Sequence, residues 1–267
     1  MAGRHLAGAH LGQRRLLGRA DRLSVRAARV EVAATRRVDR AGNVAGQDDA
    51  LALALDKPAF SNVSYAGLAK PNHIPIPPVS SFHFADFAYQ RDVAKAKQLM
   101  AEAGFPNGFE DNVLIPKTPT EEQYGVVLQG QLREIGVRLQ ITVMEPGPFV
   151  KKTLGDKDYT ICMLGDSALP DPAFLIDRYL MSDGGANLFN YKNPEMDKHL
   201  KAAASTYDEA KRKESYKAAM KLMIDDAVWQ IVLTTVAVDA WRDPLVYDAF
   251  WSPTANRYHW GLLAMGK

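Results

Sequence analysis

The chain has a single cysteine, Cys162, so it can close no disulfide within itself. It contains no run of 18 apolar residues, which excludes a conventional membrane-spanning helix. Lysine is missing until Lys57, and no aromatic residue precedes Phe60. A phosphate-binding loop, GxSxG, HExxH and CxxC are all lacking. The usual signatures of nucleotide binding, serine hydrolysis, zinc proteolysis and dithiol exchange therefore do not occur. Cys162 lies in the apolar run YTICML and reads as a small core residue rather than a reactive thiol. His73 and His83 stand ten residues apart with no further His or Cys beside them to complete a metal site. They read as structural, as do His199 and His259. No metal and no cofactor are expected.

Arginine is present, and unevenly. Ten of the 17 Arg fall within the first 40 residues, between Arg4 and Arg40, whereas all 16 Lys lie from Lys57 onward. Residues 1–47 hold ten basic and three acidic side chains, a net of +7. The other 23 basic and 28 acidic side chains leave the remainder at −5. The overall +2 averages two unlike segments, so total charge says nothing about nucleic acid. A nucleic-acid-binding arm would be expected to mix Lys with Arg and to carry stacking aromatics, and this one has neither. A secretory signal needs an apolar core of about 7–15 residues, and Arg interrupts every run here. An Arg/Ala/Gly/Val mixture without Lys resembles GC-rich coding sequence read in another frame. Residues 1–47 are accordingly expected to be a basic non-native or disordered extension with few contacts to the body. An amphipathic helix around 16–32 is the one local element its composition allows.

The body from residue 48 onward holds all 24 aromatics and is long enough to bury a core. Its periodicity predicts helices at 49–63, 93–103, 120–135, 149–154, 173–181, 194–205 and 208–226. Strands are predicted near 113–115, 137–143, 159–164 and 228–238. Asp92 and Asn193 are good N-caps, and Pro172 and Pro194 suit first turns. The Pro-rich stretch PNHIPIPPVSSF is a loop of extended backbone. Helices alternating with strands make an α/β domain with a mixed sheet.

Two loops carry the candidate site. Asp166 follows a strand in MLGDSALPDP, and ligands in α/β folds gather at strand ends. A carboxylate there can pair with a ligand amine or cap its own loop, and both readings stand. Asp171 reads as a helix cap ahead of Pro172. In GGANLFNYKNP, Gly184 and Gly185 give backbone freedom. Asn187, Asn190 and Tyr191 offer donors and acceptors. With Ser167 these make the candidate ligand set: Asp166, Ser167, Asn187, Asn190 and Tyr191.

The segments DDALALALDK, PIPP and DVAKAKQLMAEAGFPNGFE resemble the family 5 extracellular solute-binding proteins of ABC importers. So, in the same order, do QLREIGVRLQITVME, LPDPAFL, NYKNPEMDKHLKAAAST and YKAAMKLMIDDAVWQIVLTT. This resemblance implies the α/β, mixed-sheet lobe of a two-lobed (type II) periplasmic binding protein, truncated. Residues 48–238 would be the C-terminal lobe and 239–267 a segment returning to a mostly absent first lobe. There Trp241, Tyr247, Phe250, Trp251, Tyr258 and Trp260 would pack. It implies a peptide or other small solute as ligand, an ABC permease in the inner membrane as partner, a periplasmic location and no catalysis. Many peptide-binding members read W-x-x-D-Y-x-D-P where this chain has Gly165 for the Trp and Ala168 for the first Asp. Whether Asp166 substitutes is left open. The competing readings are a small α/β enzyme using Asp166 and Asp171 as a carboxylate pair, for which no base or metal partner is at hand, and the basic-arm binder above.

Overall fold

Alternation along two strands builds the core. Val113 and Ile115 face one way and Leu114 the other, and Ile161 and Met163 are opposed in the same way to Cys162. Side chains with a period of two on strands buried on both faces require helices on both sides of the sheet. The structure, a computed structural model, describes residues 22–36, 47–166, 171–241, 245–246, 251–252, 257–258 and 264–265. Of residues 22–36, 47 and those from 236 onward, the backbone alone is described.

The chain divides into two compact units, residues 29–235 and residues 1–28 with 236–267. The first holds helices α1 (Gln47–Ala54), α2 (Lys57–Tyr65), α3 (Val93–Glu102), α4 (Pro119–Arg133), α5 (Pro146–Val150), α6 (Ala173–Leu180), α7 (Pro194–Ala204) and α8 (Glu209–Asp225). The strands are β1 (Arg22–Arg36, in this unit from residue 29), β2 (Lys70–Pro71), β3 (Glu110–Pro116), β4 (Arg138–Met144), β5 (Ile161–Asp166) and β6 (Gln230–Trp241, in this unit to residue 235). They form one sheet in the order β2-β6-β1-β5-β3-β4. Strands β4 and β5 run parallel to β3, whereas β1 is antiparallel to β5 and β2 to β6. In the other unit β7 (Leu245–Val246) pairs with β10 (Ala264–Met265), and β8 (Trp251–Ser252) with β9 (Arg257–Tyr258), both antiparallel.

One core cluster sets Val113, Ile115, Ile161 and Met163 against Leu51, Phe60, Met100 and Leu128 from α1 to α4. The other sets Leu114 and Cys162 against α6, α7 and α8 through Ile176, Leu200 and Met220. Each fully buried aliphatic side chain contributes about 1.5–3 kcal/mol. Cys162 is wholly buried and burial pushes its thiol far up, so it is the inert core residue its setting suggested.

Asp92 and Asn193 are N-caps, as their sequence settings predict. Asp92, Thr118, Asn193 and Asp208 each accept backbone N–H bonds at the head of a helix. Two expectations are corrected. The single helix over 49–63 is two helices, because Asp56 caps a new start through Ala59 N and Pro58 opens its first turn. The helix allowed around 16–32 is instead, over Arg22–Arg36, a strand paired with β5, with Val30 opposite Asp166. That strand lies within the stretch expected to make few contacts with the body. Residues 1–21 and 37–46 lie outside the described residues, as do the side chains of Trp241, Tyr247, Phe250, Trp251, Tyr258 and Trp260.

Candidate functional site

Asp166 is the last residue of β5. Tyr179 of α6 donates its hydroxyl to Asp166 Oδ2 at 2.8 Å. The Tyr179 ring stacks on Trp229, with centroids 4.7 Å apart, and lies 6.0 Å from Phe189 of the following loop. The strand end and the loop of residues 184–191 therefore meet across one tyrosine. Burial, then the Asp166 charge and their hydrogen bond, push the Tyr179 hydroxyl far above its ordinary range, so it serves as a donor and not as a base.

The loop is held from within. Asn187, 4% exposed, donates to Met181 O at 3.1 Å and Tyr191 O at 2.7 Å, and its Oδ1 accepts from Tyr191 N at 3.1 Å. Tyr191 is buried, and its hydroxyl donates to Asp226 Oδ2, which also accepts from Asn193 Nδ2 at 2.9 Å. Tyr159 adds a bond from its hydroxyl to Leu188 O at 2.8 Å. Gly184 is required by space rather than by freedom: a Cβ there would lie 2.4 Å from Arg178 O. Asn190 turns the chain with φ +56.

Of the five candidate ligand residues, then, Asp166 stands at the strand end as expected, and Ser167 lies outside the described residues. Asn187 and Tyr191, expected to offer donors and acceptors to a ligand, spend them on the loop itself. Short-range pattern could not show this, because Asp226 lies 35 residues from Tyr191 and Met181 closes a clamp from the end of α6. Tyr179 and Trp229 were missed for the same reason: each reads as an ordinary aromatic in an apolar run. A clamp and a ligand contact respond differently to truncation. Asn187→Ala should lower unfolding free energy by about 1–2 kcal/mol, since three buried hydrogen bonds lose a partner. Thermal melts with and without ligand check this: an unchanged melting temperature combined with lost binding would make Asn187 a ligand contact instead.

Asp171 is no partner of Asp166. It accepts from Ala173 N at 2.9 Å at the head of α6 and receives both bonds of a bidentate contact from Arg212, each 3.0 Å. Arg212 in turn lies over the rings of Phe82 and Tyr216. Asp177, one turn further along α6, is pushed up to about 6 by burial and by the Asp171 charge. Among the described residues no group of three or more His, Cys, Asp or Glu is placed to hold a metal ion.

A family model described as bacterial extracellular solute-binding proteins, family 5 Middle, matches residues 49–187. The glutathione-binding protein GsiB of Escherichia coli is 29% identical over 213 residues, covering 76% of this chain and 41% of that protein. GsiB of Pectobacterium atrosepticum is 29% identical over 212 residues, covering 72% of this chain and 39% of its own length. The chain thus spans about two fifths of the length of these relatives. Among solved structures, the ABC transporter substrate-binding protein CtaP of Listeria monocytogenes superposes with a TM-score of 0.80 at 25% identity, over 93% of this chain and 52% of that one. A dipeptide-binding protein from a Pseudoalteromonas species, in complex with Met-Leu, gives 0.76 at 24% identity, over 88% and 49%. The α/β fold is the periplasmic-binding-protein fold. With more than half of its length matched by that family model, the chain belongs to the bacterial extracellular solute-binding proteins of family 5.

Proposed function

We propose that the chain serves as substrate-binding component of an ABC import system, taking up a peptide or other small solute outside the cytoplasm and presenting it to a membrane permease. The observation that carries this reading is the family match, which spans the strand end at Asp166 and the clamped loop to Asn187. Relatives whose ligands are named point the same way: one binds glutathione, another a dipeptide. The chemistry required is capture and release, in which closure around the ligand shifts a population of open states. No bond of the solute is broken in this reading.

Within that role Asp166 is the residue proposed to receive a ligand ammonium. The Tyr179 hydroxyl orients its carboxylate, and an anion at the end of a strand can form a charge-assisted hydrogen bond to an amine. Titration calorimetry of the full chain with glutathione, Met-Leu and N-acetyl-Met-Leu tests both statements. The free peptides should bind at least about tenfold tighter than the acetylated one, and Asp166→Asn should erase that difference, a change of about 1.4 kcal/mol. Equal affinity of wild type and Asp166→Asn for all three ligands would remove Asp166 from the site. Failure of every peptide to bind would remove the peptide reading itself.

A further inference from the structure

Residues of α1, α3 and the end of α8 line a half-open cavity of about 390 Å³, whose Trp229 also lies 5.5 Å from Phe189 of the loop of residues 184–191. Ala52, Leu53, Leu99, Ile224 and Trp229 make its apolar wall, and His73 and Tyr89 stand at one corner. A second cavity of about 380 Å³, lined by Lys57 and Arg91 among others, shares that His73–Tyr89 corner. Volumes of this size suit small organic ligands. Neither cavity is lined by Asp166 or by any residue of 184–191.

The corner is built around a buried lysine. Lys57 is 4% exposed, and its ammonium donates to Asn72 O at 3.0 Å and Ile231 O at 2.8 Å. The third contact, at 2.8 Å, is His73 Nδ1, and the Tyr89 ring lies 4.5 Å from Nζ. All of these partners are neutral. A positive charge so placed has no carboxylate in contact with it, which is costly for an interior cation. When Lys57 donates to Nδ1, the ring proton of neutral His73 sits on Nε2. Among the described residues Nε2 has no hydrogen-bond partner. Tyr89 is fixed beside it, edge to the His73 ring at 4.4 Å, with its hydroxyl on Gln230 Oε1 at 3.1 Å. The corner therefore holds an N–H donor beside Lys57, whose protonated form no carboxylate contacts, next to an aromatic and aliphatic wall.

We propose that this cavity is a second ligand site, which takes a small monocarboxylate with an apolar body. The carboxylate accepts from His73 Nε2 and supplies the negative charge that Lys57 lacks. The apolar body lies against Trp229, Leu53, Leu99 and Ile224. Lys95 on the wall favours the same charge, and Asp49, also on the wall, opposes a second negative charge and so excludes dianions.

Calorimetry on the full chain with phenylacetate, phenylacetamide and phenylmalonate provides the test. Phenylacetate should bind with a Kd below about 5 mM, at least about tenfold tighter than the amide or the dianion. His73→Phe should weaken it at least tenfold, and Leu53→Trp, which fills the cavity, should abolish it, with circular dichroism showing both variants folded. Should His73→Phe fail to fold, His73→Gln keeps a donor amide and should retain at least a third of the affinity. Asp166→Asn should leave phenylacetate binding unchanged, which separates this site from the one proposed for the transported solute. Absence of saturable binding up to about 20 mM, or binding that persists unaltered in Leu53→Trp, overturns the proposal.

Discussion

Gly108→Ala should lower the melting temperature by about 10 °C. Gly108 has φ +76, and a Cβ added to it would lie 1.9 Å from Gly136 O and 2.6 Å from Gly136 Cα. These are backbone atoms, so no side chain can swing aside. Gly136 itself has φ +86, and its own Cβ would come within 3.0 Å of Gly108 Cα. The two glycines let the chain entering β3 pass against the chain entering β4, where Arg138 N donates to Phe109 O at 2.8 Å and opens the parallel ladder. An alanine at 108 takes on the left-handed penalty of about 1–2 kcal/mol and must also push two backbones apart by more than an ångström. The total is expected to reach at least about 3–4 kcal/mol, at the upper end for single substitutions. Each kcal/mol moves a domain of this size by about 2–4 °C. Gly136→Ala should cost less, and the double variant should fall short of the sum because both strain one contact. Gly130→Ala is the control. It sits inside α4 with nothing within 4 Å, and should be neutral or stabilise by up to about 1 kcal/mol. If Gly108→Ala melts with wild type, the close approach of the two backbones is wrong.

The second large effect is in the dependence of stability on pH. Burial lowers the Lys57 amine from its ordinary value to about 7. Burial and then the Lys57 charge lower His73 to about 4. Both folded values lie below the unfolded ones, 10.5 and 6.5, so the unfolded chain binds more protons between each pair. Stability must then rise with pH through those windows, from about 4 to 6.5 for His73 and from about 7 to 10.5 for Lys57. Arg91 lines the same cavity as Lys57 and His73, and Asp56 precedes Lys57 in the chain. The Asp56 carboxylate accepts from Ala59 N, and the Lys57 ammonium itself contacts carbonyls and His73. Lys57→Met isolates it. The stability of wild type relative to Lys57→Met should improve by about 3 kcal/mol from pH 7 to pH 10, discounted from the full shift for relaxation. Urea unfolding at pH 5, 7, 8.5 and 10 reads this directly. A difference that stays flat across the range would mean Lys57 keeps an ordinary amine in the folded chain. At neutral pH the substitution also strips a donor from the Asn72 and Ile231 carbonyls, so absolute stability is a poorer readout than slope.

Sequence by itself determined the helix starts, the mixed sheet and the buried strands. Asp92, Thr118, Asn193 and Asp208 cap because their side chains reach N–H groups two or three residues on, a distance that the chain itself fixes. The run around Ile161–Met163 reads as a strand for an equally local reason, and the structure covers it on both faces. The resemblance carried by AKQLMAEAGFPNGFE and NPEMD likewise pointed to the family. The break at Asp56-Lys57-Pro58 was not read from the sequence, because the apolar periodicity on either side of it obscured it.

Tertiary structure alone decided which polar groups remain available to a ligand. Tyr191 has the right chemistry for binding, yet its hydroxyl goes to Asp226, 35 residues away, while Asn187 bonds locally to Met181 and Tyr191. Asp166 and Asp171, five residues apart, look like a pair, but Tyr179 holds one and Arg212 the other. Lys57 gave no sign of burial, since its two carbonyl acceptors lie 15 and 174 residues away. A hydrogen bond is satisfied wherever folding brings a partner within about 3 Å, and a buried polar group must find one. Nothing in local spacing records that choice, because it is made by packing between elements distant in the chain.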